Sequence, residues 1–389
     1  MSNSNRVRVS AMVETTAGET PAATALQVLR FTGEELALVL ESKASSEIRD
    51  DRATADVVKS AESAAGRLNI ELSYGTFDSL FLLGAFQSSG WSSASVLLSA
   101  GSATIASGVV TVSSWAVSPV VGQWVKCEGF SNSANNTYFK ILATTATTIT
   151  LGGVAAMVDE GPTASVTITM GSQIVNGTTQ PSYSIEKAYQ DLSNTFAVFV
   201  GATVNAFSLS FPTDDFISGS FDFLAYSEAN ASSTIGSSYT AASTTKSMTS
   251  VANVTGIIEG ALSAGAANGG SYIDLSMQMS NNLRGRRVIA NAGFDSIGSG
   301  RLEITGSARR YFTSNSQFAE VLNFTESSFA VVAVDDAGNA YILEFPSIHW
   351  ATGRRVASGP NDDVIADLTW QAKLDATELV MARLVRFPA

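Results

Sequence analysis

Apolar and polar residues alternate with period two in stretch after stretch of this chain: RLNIELSYG (67–75), FSLSFP (207–212), SFDFLAYS (220–227), YIDLSMQMS (272–280), RLEITGSARRYF (301–312), YILEFP (341–346) and LTWQAKLD (368–375). Successive side chains of a strand point to opposite faces, so each stretch predicts a strand with one buried and one wetted face. Helical spacing is confined to FDSLFLLGAF (77–86) and NSQFAEVLNFTESS (315–328), where Phe318, Val321, Leu322 and Phe329 stand near helical intervals. The expectation is a mainly β protein with minor helix.

At 389 residues the chain exceeds one ordinary domain of roughly 100–200 residues, which predicts two or three. Hydrophobic residues make up 45% and charged residues 15%, and eight prolines are too few for a linker-rich or disordered protein. The net charge of −12 argues against a protein that grips nucleic acid through its phosphates, which needs a basic face. It does not exclude DNA passing nearby, because a channel in which DNA slides should offer phosphate no attractive wells. Cys127 is the single cysteine, so neither an intramolecular disulfide nor a zinc site of CxxC type can form. The start of the chain has no continuous apolar core and no stretch reaches the ~20 apolar residues of a membrane span, so cytoplasmic synthesis without membrane anchoring is expected.

Landmarks recur in order along the chain. Arg49-Asp50-Asp51-Arg52 precedes Gly66-Arg67-Leu68-Asn69-Ile70, and Arg284-Gly285-Arg286-Arg287 precedes Gly300-Arg301-Leu302-Glu303-Ile304. Downstream, Ser208-Leu209-Ser210-Phe211-Pro212 echoes Ile342-Leu343-Glu344-Phe345-Pro346, and SFDFLAYS then echoes LTWQAKLD. The reading is a duplicated β unit, with chance in a Ser/Ala/Gly-rich sequence as the alternative. The first copy is longer between Gly and Pro landmarks (212 − 66 = 146 against 346 − 300 = 46), which predicts an insertion. Its short Val/Thr/Ile runs, separated by Gly, Asn and Ser, suggest a small all-β module of immunoglobulin-like or barrel type. The division expected is 1–87 with 183–229 as the first unit, 88–182 as the insertion and 230–389 as the second unit. A spacer rich in Ala, Ser and Thr (227–270) joins the units and contains VANVTGIIEGALSAG, a candidate first strand of the second copy.

Residues that could carry chemistry find no constellation. His349, the sole histidine, lacks any recognisable nucleophile and acid pattern. Cys127 alternates with Val125 and reads as a small core residue. The acid pairs Asp50/Asp51, Asp214/Asp215, Asp335/Asp336 and Asp362/Asp363 would point to opposite faces of a strand, and three of them sit among turn formers. DDAGNAY (335–341) resembles a hairpin connection in which Gly338 and Asn339 can take positive φ. There is no Walker loop, GxGxxG, GxSxG or HExxH. No catalytic, cofactor-binding or metal residue is therefore assigned, and the expectation is a protein that is not an enzyme. Arg49 with Arg52 and Arg284 with Arg287 recur before corresponding strands and are candidates for a subunit interface, with solvated loop arginines as the alternative.

The segment 21–81 carries TPAATALQVLRFTGE from Thr20, SEIRDDR (46–52) and GRLNIELSYGTFD (66–78), and it resembles the tail tube proteins of bacteriophages with long, non-contractile tails. The resemblance extends through the C-terminal half and omits 88–182. There VGQWVKCEGFSNSANNTYFK (121–140) is similar to small β modules that decorate phage structural proteins. The resemblance implies β-sandwich or barrel units with short flanking helices whose sheets join edge to edge in a ring. The rings stack into a conduit for genomic DNA, with tape-measure protein and duplex DNA in the lumen and tail tip and terminator proteins at the ends, in the virion. A ring has sixfold character in this family, from six single-unit subunits or three duplicated ones, and the duplication points to three. By its length the insertion should project outward. An alternative is a tail tip or fibre protein in which Trp91, Trp115 and Trp124 form a sugar platform.

Overall fold

The computed structural model describes residues 2–153, 155–265, 271–357 and 359–389. The chain opens with β1 (Val7–Val13), β2 (Ala25–Val28), β3 (Gly33–Glu34), β4 (Ala37–Ala44) and β5 (Val57–Glu71), followed by helix α1 (Phe81–Phe86). A run of shorter strands comes next: β6 (Ser95–Ala106), β7 (Val109–Val112), β8 (Trp124–Glu128), β9 (Tyr138–Thr144), β10 (Thr148–Gly153) and β11 (Glu160–Met170). Then follow β12 (Ser172–Val175), β13 (Tyr183–Tyr189), β14 (Phe196–Phe211), β15 (Ser218–Ala225), β16 (Ser227–Ala231), β17 (Ser238–Thr240), α2 (Ser250–Asn253), β18 (Val254–Glu259), β19 (Asp274–Ser280), β20 (Arg284–Arg286) and β21 (Ser296–Gly298). The chain finishes with β22 (Glu303–Tyr311), α3 (Asn315–Asn323), β23 (Glu326–Val334), β24 (Ala340–Val356), β25 (Ile365–Ala372) and β26 (Arg383–Phe387). The fold is mainly β, as the alternation dictates, and each period-two stretch lies in or across a strand. The helices are shorter than their sequence patterns: α1 starts at Phe81, and α3 ends at Asn323, so Phe329 belongs to β23.

Two long strands organise the molecule. The first half of β14 pairs with β13 and β16, and its second half pairs with β15 and β19. Likewise the first half of β24 pairs with β23 and β26, and its second half with β25. Each long strand carries irregularities at matching places: pairing jumps between Ile185 and Tyr183 opposite β14 as between Phe329 and Ser327 opposite β24, and an extra residue follows Val204 and Trp350. An extra residue bends a strand and increases its twist. One strand can therefore pass from an outer layer, β1-β13-β14-β16 or β18-β23-β24-β26-β12, into an inner sheet that β14 and β24 share. That inner sheet runs β4-β5-β15-β14-β19-β22-β25-β24, all antiparallel.

The core lies between the layers. Phe81 on α1 is fully buried, with Tyr183, Phe221 and Phe223 around its ring at 5.1, 5.4 and 4.8 Å between centroids. Truncating such a residue costs about 3–5 kcal/mol.

Backbone pairing relocates the landmarks. Taking the extra residues after Val204 and Trp350 as equivalent, Gly66, opposite Phe223, matches Gly306, opposite Trp370. A side chain at Gly306 would meet the Trp370 ring at 2.3 Å, which accounts for glycine there. Gly300-Arg301-Leu302, by contrast, precedes β22. Similarly, Phe211 ends β14 whereas Phe345 lies in the first half of β24. The sequence echoes were thus displaced by even numbers of residues, a shift that leaves period-two alternation unchanged and so passes unnoticed.

Between α1 and β13 the strands β6–β11 close a barrel in the order β10-β7-β6-β11-β8-β9. Val110, Val125, Cys127, Phe139, Ile141, Ile149, Leu151 and Ile168 fill it, all fully buried. The barrel sits on the outer layer, on the face turned from the core: Trp124 and Tyr138 pack against Ile258, Val332, Ile342, Val385 and Phe387. A buried quartet of charges joins the two. Lys140 of β9 contacts Glu344 of β24 at 2.6 Å and Glu378, while Arg383 of β26 lies 2.8 Å from both carboxylates. Trp124 Nε1 donates to Glu344 at 2.9 Å. The quartet is formally neutral, so no buried charge is left uncompensated.

Candidate assembly surface

The face of the inner sheet turned away from the core is polar because every second residue of its strands is. Cross-strand register arranges these residues in rows running across the strands. One row reads Asn69, Ser220, Ser208, Gln278, Thr305, Gln371, and the next Glu71, Ser218, Ser210, Ser276, Ser307, Thr369, Thr352. Hydroxyls bridge neighbouring strands along them: Ser208 to Ser220 at 2.9 Å, Ser276 to Ser307 at 2.8 Å and Thr352 to Thr369 at 2.6 Å. Apart from Glu71 at one end, both rows are uncharged.

Charged pairs flank them. On one side Arg67 meets Asp222 at 2.6 Å, and that carboxylate raises the guanidinium pKa further. On the other side Asp274, Arg309, Asp367 and Arg354 form a ladder with contacts of 2.9, 3.3 and 2.9 Å. Exposed pairs like these add little stability, but they cancel charge locally. The rows line an open trough of about 840 Å³.

The sheet ends in two open edges. Among the described residues β4 pairs only with β5, and residues 350–356 of β24 only with β25. Open edges present unpaired N–H and C=O groups, a template for another strand. Apolar groups stand at each: Leu38, Val39 and Leu40 on β4 are exposed by 37, 44 and 57%, while beside β24 the α3 terminus exposes Leu322 by 72% and Phe324 by 61%.

Residues 4–372 match the family described as Phage tail tube protein. The chain belongs to this family. No protein of curated function matches it. As a tail tube protein it is a structural component of the phage tail, one that assembles with itself.

The four candidate arginines of the tail tube protein lie in the connections β4–β5 and β19–β22. Arg49 and Arg52 occupy the 45–56 loop, where Arg49 pairs with Asp51 at 2.7 Å and its hydrogen bond holds the Asp51 carboxyl below the usual range. Arg52 takes positive φ. Arg284 donates to the Ser299 carbonyl at 3.2 Å. Arg287 reaches Glu41 of β4 at 3.1 Å and stacks on Phe294, and nearby the Glu62 N–H donates to the Ala292 carbonyl. The second connection therefore folds back over β4 and β5, whereas the 45–56 loop is exposed throughout.

The remaining candidates have structural surroundings. His349 stacks flat on Phe324, ring centroids 4.4 Å apart. Asp335 accepts the Ala337 and Asn339 N–H groups and fixes the 335–339 hairpin, where Gly338 takes positive φ and Asn339 does not. Among the described residues no group of three or more His, Cys, Asp or Glu is placed to hold a metal, and no helix is long and apolar enough to cross a membrane. The three tryptophans do not form a platform: Trp124 is buried against Glu344, Trp91 donates to the Asp78 carbonyl under Arg386, and Trp115 packs on the barrel core. Sequence reasoning missed the Lys140–Glu344–Arg383–Glu378 quartet, whose members are scattered over three strands and a loop. It also missed the hydroxyl rows, although their signal, Ser, Thr, Gln and Asn at alternate positions, stood in the strand patterns.

Proposed function

We propose that three copies of this tail tube protein close a ring, and that stacked rings form the conduit for genomic DNA in a long, non-contractile tail. The carrying observation is the inner sheet with an open strand at each end and a charge-compensated, hydroxyl-lined face between them. Edge-to-edge closure continues that sheet around a channel, and the two uncharged rows then become belts on its wall. Duplex DNA and tape-measure protein meet hydroxyls there and no unpaired cations, which suits sliding without capture. Tail tip and terminator proteins are the partners expected at the ends.

The matched strand orders and matched bulges support two equivalent units, 1–87 with 183–229 and 230–389, so that three chains give sixfold character. The stretch 88–182 is then a decoration. Its barrel covers the outer layer on the side opposite the trough, which supports an outward position on the tube. Arg287 and Glu41 support an interface role for the arginines: the unit-two connection clasps unit one within the chain, and Arg49 and Arg52 would carry the free 45–56 loop onto the β19–β22 connection of the next copy. The tail tip or sugar-binding reading has no observation in its favour, since its tryptophans are dispersed.

Negative-stain microscopy of the purified protein tests the reading. Rings or tubes of one diameter, with a pore wide enough for duplex DNA and three copies per ring, are expected; monomers at every concentration and salt would overturn it.

A further inference from the structure

We infer that the contact between copies repeats, residue for residue, the β14·β19 junction inside the chain, and that Leu40 of one copy seats at the α3 C-terminus of the next. This rests on the ring reading above and specifies its interface.

Register supplies the equivalences. Gly33 opposite Asn69 and Ala37 opposite Ala65 on β5 correspond to Asp274 opposite Arg309 and Gln278 opposite Thr305 on β22, so β4 and β19 differ by a constant 241 positions (274 − 33 and 278 − 37). Ala206 and Thr352 each follow the extra residue in β14 and β24, a constant 146 (352 − 206). Inside the chain Ala206 pairs with Ser280 and Phe207 with Met279. The same register between copies sets Thr352 against Val39 and Gly353 against Leu38 of the neighbour.

The surroundings fit this register. Asn281, just past β19, donates to the α1 carbonyls of Gly84 and Ala85, at 3.4 and 3.2 Å, and is buried. Its counterpart past the same point of β4 is Leu40, and the counterpart of the α1 terminus is the α3 terminus, since Gln87 and Phe324 are both left-handed caps. Both helix ends are capped by their own backbone, α1 through the Gln87 and Ser88 N–H groups and α3 through those of Phe324 and Thr325, but the exposed groups at the α3 end are the apolar Leu322 and Phe324. An apolar Leu40 suits that seat as the amide of Asn281 suits the other. Gly353 leaves the space above it to Phe318 of α3, whose ring lies 3.0 Å from where a Cβ would stand, so Leu38 of the neighbour would abut Phe318.

Cysteine pairs in the full-length chain read the register directly, because Cys127 is buried in the barrel and its thiol is pushed up to about 12, chiefly by burial. A disulfide forms only when Cα atoms approach within about 4.4–6.8 Å. Oxidised rings of V39C/T352C should run as covalent trimers on a denaturing gel, whereas V39C/R354C, one pleat away, should crosslink at least tenfold less. L40D should lower ring yield more than tenfold with the monomer's thermal unfolding unchanged, and L40M should retain ring formation. Rings that crosslink through Val39 and Arg354, or that assemble normally with L40D, overturn this interface and leave the ring standing. Failure of the unaltered chain to form any ring overturns the ring reading, and this interface with it.

Discussion

The junction inside the inner sheet and the sheet's open ends share a backbone pattern and differ in chemistry. At the internal junction Met279 is fully buried and Asn281 is hydrogen-bonded, whereas at the equivalent places on the edge Leu38 and Leu40 are half-exposed. The internal junction forms when the chain folds, so it can use a buried amide that demands exact partners. The edge must survive in water before a second copy arrives, and aliphatic side chains leave no unsatisfied polar group while they wait. The largest expected effect breaks this comparison on one side only. Met279→Asp buries an unpaired carboxylate and should destabilise the monomer by several kcal/mol, about 3–5 or more, enough to abolish the thermal transition. Leu38→Asp should leave that transition in place and remove assembly, as sedimentation would report.

Next in size is the quartet that fixes the barrel. Glu344→Ala leaves Lys140 and Arg383 with Glu378 as their one remaining acid and a buried positive charge in excess, and should cost about 3–5 kcal/mol. Burial pushes the Glu344 carboxyl up, but the charges of Lys140 and Arg383 and two hydrogen bonds outweigh it, so it titrates below its usual 4.5. Burial pulls the Lys140 ammonium down, and Glu344 and Glu378 outweigh that, so it titrates above 10.5. A lowered acid contributes stability that is complete above its unfolded pKa and lost as pH falls through the folded value. A raised base contributes stability that is complete below its unfolded pKa and lost as pH rises. Thermal unfolding should therefore be flat in this contribution between about pH 4.5 and 10.5 and fall on the acid side; Glu344→Gln should flatten that acid limb. The barrel should become protease-sensitive in Glu344→Ala while V39C/T352C crosslinking persists, showing that the barrel seat and the sheet edge are separate devices.

A smaller effect sharpens the same contrast from inside. Asn281→Leu makes the internal junction resemble the edge, but the Ala85 and Val204 carbonyls would lose the amide donor that Asn281 supplies. About 1–3 kcal/mol should be lost, measured by denaturant midpoint at unchanged slope.

Much of the layout was legible because alternation is a local property. The strands around Phe207, Phe221 and Leu368 could be read from period two alone, and the Val/Thr/Ile runs before Cys127 marked out small strands that the barrel contains. Alternation says nothing of register, however, and the Gly-Arg-Leu echo misled by six residues for that reason. Nor does it reveal which core positions take a charge: Arg310 of β22 is buried beside Glu259 with Tyr272 and Trp350 near its guanidinium. The apolar residues of β4 were readable as a strand but not as an edge, because exposure depends on a neighbour that lies in another molecule. The arginine pairs were visible as a recurrence, yet only the folded chain separates Arg287, held by Glu41, from Arg49, held by its own loop.

The smallest effect on stability falls on the face between the two kinds of junction. Ser208 and Ser307 lie in the two uncharged rows, and lysines there would project from the wetted side of the sheet without disturbing its core. Surface substitutions of this kind change stability by about 0.5 kcal/mol or less, so Ser208→Lys with Ser307→Lys should fold and assemble as before. In a three-copy ring they would add six unpaired cations to each turn of the channel wall, and DNA held by counterion release binds with a steep dependence on salt. Tubes of this variant should retain duplex DNA at low salt and release it as salt rises, while unaltered tubes retain none at either. If the variant tubes ignore DNA at every salt concentration, the hydroxyl rows face somewhere other than the channel, and the sheet closes with its opposite face inward.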